Sequence, residues 1–313
     1  MQLTHSLVML LVLALVEASM LAQSPPAFLA QWCGQSTPET IKEFISGFRC
    51  RGFQIALLDR DSSEHRLVSQ YMFAGSPPSP SDSSTYTIYA IERDHEREAV
   101  RRWDRYGSRT LLWHGTPGEN VGDILREGLR IAPGGKCPNG QMFGRGIYFT
   151  DAFSYSLEYA QPGGPKGKEI TSRNDNKLHS TSNTPNDRLK DVKQPISQNK
   201  RYVFLCEVVL GTPKVVYHPE QVEGLPDGNH QSVKAVGRLG PDSATHLRLP
   251  DGCLVPLGPL VLNSPPALDN TAALMSFGDF WQPQKFSWNL QFNEYVVYDT
   301  TQIFVRYLVE YSN

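Results

Sequence analysis

Short runs of β-branched and aromatic residues recur along this chain, separated by polar or turn-forming stretches. They read as strands at 53–58, 85–91, 110–114, 146–149, 202–210, 294–298 and 303–310. Between them only short helices fit: 64–73, the charged segment 93–103, and a helix that carries Ser154, Ser156 and Tyr159. Several strands with few long helices predict an α+β domain around an antiparallel or mixed sheet.

With 313 residues the chain has room for one large domain or two small ones. Thirty basic against 32 acidic residues give a net charge of −2, without the overall positive charge of a dedicated nucleic-acid binder. The five cysteines (Cys33, Cys50, Cys137, Cys206 and Cys253) are odd in number and widely spaced. They form no pair two residues apart, which argues against a zinc site and a disulfide framework; buried or surface thiols in a reducing compartment fit better, and no metal is expected.

Residues 1–52 read as a helical N-terminal segment and 53–313 as the main domain. The apolar run 7–16 could pass for the core of a signal peptide. No Lys or Arg precedes it, and it falls well short of the ~20 residues that span a bilayer, so a buried helix is the preferred reading. Ile41, Phe44, Ile45 and Phe48 at helical spacing predict a second short helix. Residues 161–200 are rich in Gly, Asn, Ser, Lys and Pro, with eight basic and four acidic side chains, and read as a long flexible insertion. A second long irregular stretch is expected at 263–292.

Three segments carry candidate chemistry. The first is Leu111-Leu112-Trp113-His114-Gly115-Thr116, a strand ending in a histidine and a glycine, where a binding cleft can begin. The second runs from Gly140 to Asp151 through Gly144, Gly146, Ile147, Tyr148 and Phe149; its glycines permit tight turns or close approach to a ligand, but neither a P-loop nor a dinucleotide fingerprint is present. Just after it, Ser156 and Tyr159 are three positions apart on a helix and can reach one pocket. In the third, Asn293-Glu294-Tyr295-Val296-Val297-Tyr298-Asp299, alternation sets Glu294 on a partly buried strand face. A carboxylate there must be hydrogen-bonded, paired or used.

Taken together, His114-Gly115, Tyr148 within Gly-Ile-Tyr-Phe and Glu294 within Asn-Glu-Tyr-Val-Val-Tyr-Asp resemble, in order and spacing, the His-Tyr-Glu signature of the poly(ADP-ribose) polymerase catalytic domain. The resemblance extends from about Phe53 to Tyr311 and takes in 124–133, 206–211 and 255–258. It implies the ADP-ribosyltransferase fold and an enzyme that uses NAD as substrate, releases nicotinamide and transfers ADP-ribose to protein. By the resemblance, main-chain groups of Gly115, with Thr116 beside it and the Ser156 hydroxyl, hold the nicotinamide carboxamide, and Tyr159 stacks on the ring. Tyr148 lines the pocket's other face, and His114 bonds the adenine-side ribose. Asn120 and Arg130 match positions near the adenosine and pyrophosphate. Glu294 binds the 2′-hydroxyl of the nicotinamide ribose and, in that family, accompanies chain formation.

The alternatives are a mono-ADP-ribosyltransferase of the same fold or a non-catalytic NAD or ADP-ribose binding module. The resemblance further implies protein acceptors modified at Glu, Asp or Ser side chains, no membrane partner, and DNA contact only through another domain. It also suggests a nuclear location and a role in DNA repair, and makes 1–52 a candidate remnant of a helical regulatory domain. Two departures stand out: Tyr155 occupies the place of a lysine found in well-known polymerising members, and Pro117 that of a polar residue.

Overall fold

The structure is a computed structural model that describes residues 53–75, 84–107, 109–132, 142–161, 200–217, 228–264 and 290–312. The helices expected within 1–52 and nearly all of the expected loops at 161–200 and 263–292 lie outside these residues.

The α+β expectation holds. The first strands are β1 (Phe53–Leu57), β2 (Thr85–Arg93), β3 (Arg109–Thr116), β4 (Ile147–Thr150) and β5 (Lys200–Val209). Then come β6 (Pro213–Val216), β7 (Ser232–Ala235), β8 (Leu239–Pro241), β9 (Leu247–Arg248), β10 (Leu254–Val255) and β11 (Leu260–Leu262). The last are β12 (Glu294–Val297) and β13 (Ile303–Ser312). The helices are α1 (Ser63–Phe73), α2 (Asp94–Arg101), α3 (Val121–Glu127) and α4 (Phe153–Tyr159). Helix α1 starts where the Ser62 hydroxyl accepts the His65 N–H at 3.0 Å, an N-cap that satisfies one of the first-turn donors.

Along the main sheet the strand order is β1-β2-β13-β5-β3-β4-β12-β7-β6. Every neighbouring pair on that path is antiparallel except β6 with β7. Strand β10 pairs in parallel with β3 and antiparallel with β9, while β8 and β11 form a separate ribbon.

Both faces of the sheet are covered, so its central strands are buried on both sides rather than alternating between core and solvent. On one face Leu112, Phe204 and Cys206 pack with Val121, Ile124 and Leu125 of α3. On the other, Trp113, Val203 and Leu205 pack with Leu67, Tyr71 and Met72 of α1 and Phe153 of α4. A bulge at Arg306 interrupts the pairing of β13 with β5, so Val305 belongs to the first core and Tyr307 to the second. Buried carboxylates hold that irregular point: Glu96 Oε2 accepts the Val305 N–H at 3.0 Å, and Glu207 takes Arg306 at 2.8 Å and Arg109 at 2.6 Å. Among the described residues Cys206 and Cys253 are free and buried.

Candidate active site

Strands β3 and β4 share one register pair, Trp113 with Thr150. Thr150 stands opposite Glu294 on β12, and Glu294 opposite Ala235 on β7. The four residues therefore form a row on one face of the sheet. Trp113 is buried, its ring edge-on to Phe153 of α4 at 5.0 Å. Beyond Trp113, β3 keeps β5 on one edge, with Gly115 opposite Val203, and has no strand on its other edge among the described residues. Main-chain N–H and C=O groups on such an edge can read an amide, which offers one donor and one acceptor.

Helix α4 lies against this end of β3. A Cβ on Gly115 would overlap the Ser156 carbonyl oxygen and come within 3.1 Å of Tyr159 Cβ, so only glycine lets strand and helix meet backbone to backbone. Ser156 is buried, and its hydroxyl donates to the Phe153 carbonyl at 2.6 Å, inside its own helix.

Glu294 is 8% exposed and faces the same helix. Its Oε1 accepts the Tyr155 hydroxyl at 2.8 Å, and the Tyr155 and Tyr159 oxygens are also 2.8 Å apart. Tyr155 has one proton, committed to the carboxylate, so Tyr159 donates to Tyr155. The result is a directed chain from Tyr159 through Tyr155 to Glu294. Burial pushes the Glu294 carboxyl above its ordinary value, and the hydrogen bonding of the Tyr155 phenol, backed by Tyr159, pulls it back. Burial and then the neighbouring carboxylate raise both phenols, Tyr159 to about 12.

His114 Nδ1 lies 2.9 Å from the Tyr148 carbonyl oxygen. A carbonyl only accepts, so Nδ1 carries the proton and Nε2 of the neutral ring is the acceptor. Burial pushes this imidazole below 6.5, against the bond to Tyr148. The Tyr148 hydroxyl fixes the preceding turn, accepting the Phe143 N–H at 3.0 Å and donating to the Gly144 carbonyl at 2.8 Å. Gly144 has φ 88°, the left-handed region that favours glycine.

The remaining expected positions sit farther out. Thr116 is buried, and its hydroxyl accepts Asn120 Nδ2 at 3.1 Å, closing the exposed 3₁₀ turn that leads into α3. Arg130 is exposed and pairs with Glu127 at 2.5 Å. The structure thus brings Gly115, Ser156, Tyr159 and Glu294 together around α4, joins His114 to Tyr148, and leaves Asn120 and Arg130 on the α3 side.

Three residues given no role in the sequence reading belong to this site. Tyr155 departs from the family's lysine, and its spacing of four from Tyr159 puts both on one helix face. Asp151 and Asn293 lie inside quoted motifs. Asp151 Oδ2 accepts Asn293 Nδ2 at 2.8 Å and the Tyr295 hydroxyl at 2.9 Å, so the two neighbours of Glu294 in the chain are tied to one buried carboxylate. No sequence signal links these residues, because the contact is made only when β4 and β12 pair.

Comparison with known proteins agrees with this geometry. Residues 62–313 match the family model of the poly(ADP-ribose) polymerase catalytic domain. The chain is 31% identical over 260 residues to poly(ADP-ribose) polymerase 1 of Xenopus laevis, covering 82% of this chain and 20% of that protein. It is 32% identical over 256 residues to poly(ADP-ribose) polymerase 2 of Homo sapiens, covering 81% and 35%. For poly(ADP-ribose) polymerase 2 of Arabidopsis thaliana the identity is 30% over 259 residues, covering 80% and 31%. The chain therefore spans only about a fifth to a third of the length of these curated relatives. A mixed sheet flanked by short helices, a match over most of the chain and three such relatives lead to one conclusion: this chain belongs to the poly(ADP-ribose) polymerase catalytic domain family and has its ADP-ribosyltransferase fold.

Proposed function

We propose that the chain is an NAD-dependent ADP-ribosyltransferase that breaks the bond between nicotinamide and ribose C1′ and joins that carbon to an acceptor oxygen. The observation that carries this reading is Glu294, a carboxylate 8% exposed, held by phenols at the point where β3 and β4 part. Nicotinamide leaves with the bonding electron pair and becomes neutral, so positive charge grows on the ribose. A carboxylate fixed beside that sugar lowers the barrier because it needs no reorganisation as the charge appears. The acceptor oxygen then bonds to C1′; a hydroxyl acceptor releases its proton to water, and an ionised carboxylate acceptor has none to release.

The other roles follow the same reading. Main-chain groups at Gly115 hold the carboxamide, with Thr116 anchoring the turn beside them. Tyr159 and Tyr148 enclose the ring, whose positive charge suits an aromatic face. His114 accepts a ribose hydroxyl at Nε2. The Ser156 hydroxyl joins the carboxamide by turning away from Phe153, while Asn120 and Arg130 serve the adenosine and pyrophosphate. Glu294 also favours addition to an earlier ADP-ribose, hence polymer. The names of the relatives support polymer formation; protein acceptors at Glu, Asp or Ser side chains, a nuclear location and DNA engaged through another domain rest on the family resemblance alone.

Labelled NAD incubated with the purified chain, without DNA, and resolved on a denaturing gel tests this beside Glu294→Gln. A high-mass smear that the variant loses supports polymer synthesis through Glu294. A discrete band retained by both identifies mono-transfer, and label in neither leaves a binding module for NAD or ADP-ribose.

A further inference from the structure

We propose that Tyr155 is the positioning residue for Glu294: its hydroxyl fixes Oε1, and its lack of charge leaves the carboxylate more basic than a cation at the same place would. This rests on the reading of Glu294 as the group that meets the ribose.

The geometry is specific. Tyr155 gives its only proton to Glu294 Oε1 at 2.8 Å and receives that of Tyr159 at 2.8 Å. Its ring is fixed from two sides, edge-on to Tyr159 at 5.3 Å and tilted over Phe292 at 5.2 Å. Phe292 stands two residues before Glu294, and its backbone is pressed against Gly237 so closely that no Cβ would fit there. Tyr155 therefore joins α4 to the catalytic strand twice, once through its hydroxyl and once through its ring. A phenol held in this way fixes the rotamer of a carboxylate better than a flexible ammonium does, since fewer side-chain torsions must be frozen.

The groups around Glu294 carry little charge. Across the sheet it meets Thr150 of β4 and Ala235 of β7. From α4 it meets Tyr155 and Tyr159, with the exposed Glu158 acting on Tyr159. Lys234 lies over the ring of Tyr295, and Asp151 is bonded to Tyr295 and Asn293, both away from the Glu294 carboxylate. The hydrogen bond from the neutral Tyr155 phenol thus holds the ionised form against burial, and deleting it must make the carboxylate easier to protonate.

Nicotinamide release from labelled NAD, measured with the full chain across pH and NAD concentration, tests the assignment in wild type, Tyr155→Phe, Tyr155→Lys and Glu294→Gln. Tyr155→Phe keeps the ring and its contacts. It is expected to move the acidic limb of the rate profile to higher pH and to lower kcat about tenfold, with KM within about twofold. Tyr155→Lys is expected to move the limb to lower pH. A limb at the same pH in all three chains, with Glu294→Gln inactive, would overturn the role of Tyr155 and spare that of Glu294. A Glu294→Gln chain as fast as wild type would overturn the reading of Glu294 itself.

Discussion

Gly115 and Ser156 touch backbone to backbone, and a single methyl group on Gly115 would occupy the space of the Ser156 carbonyl oxygen. Backbone cannot swing aside as a side chain can, so Gly115→Ala must push α4 off β3. We expect a loss of about 1–3 kcal/mol in a urea denaturation series, the usual range for overpacking. NAD binding should weaken as well, because Tyr159 moves with the helix. An unchanged midpoint would mean that strand and helix do not meet backbone to backbone.

Asp151 is buried at 4% exposure and is pushed up from 3.8 to about 6, mainly by burial, against hydrogen bonds from Asn293 and Tyr295. Between those two values the folded protein keeps a proton that the unfolded chain has released, so this group's contribution to stability falls as pH rises through the interval. Asp151→Asn cannot titrate. The stability difference between wild type and variant should change across that interval and level off above it. A constant difference from pH 4 to 7 would show that Asp151 stays ionised in the fold.

His114 should remain neutral at pH 7 with its proton on Nδ1, given its bond to the Tyr148 carbonyl and the downward push of burial. Nuclear magnetic resonance of the labelled ring should report the Nδ1–H tautomer and titration below pH 6.5. Replacement by Ala, which removes the Nε2 acceptor, should raise KM for NAD about tenfold, the worth of one hydrogen bond. An imidazole charged at pH 7 would contradict this assignment.

Much of the strand framework was legible from residue type. The run expected at 85–91 forms β2 (Thr85–Arg93), and that expected at 110–114 forms β3 (Arg109–Thr116). The charged segment expected as a helix at 93–103 forms α2 (Asp94–Arg101). What escaped was short. Helix α3 spans seven residues with no side-chain cap, and it is held by burying Val121, Ile124 and Leu125 on the sheet. Strands β6 to β11 have two to four residues each, and Leu239-Gly240-Pro241 has no alternation from which a strand could be read.

The sequence by itself determined the chemical repertoire and its order: a histidine and glycine at one strand end, a tyrosine beyond a glycine turn, a glutamate on a late strand. Local side-chain chemistry is written residue by residue, so these were visible without coordinates. Only the tertiary structure decided which groups meet. The row Trp113, Thr150, Glu294 and Ala235 comes from strands far apart in the chain. The bond from Tyr155 to Glu294 spans 139 positions, and that from Asn293 to Asp151 spans 142. Such contacts depend on strand register, which is fixed by pairing over the whole sheet rather than by any local pattern.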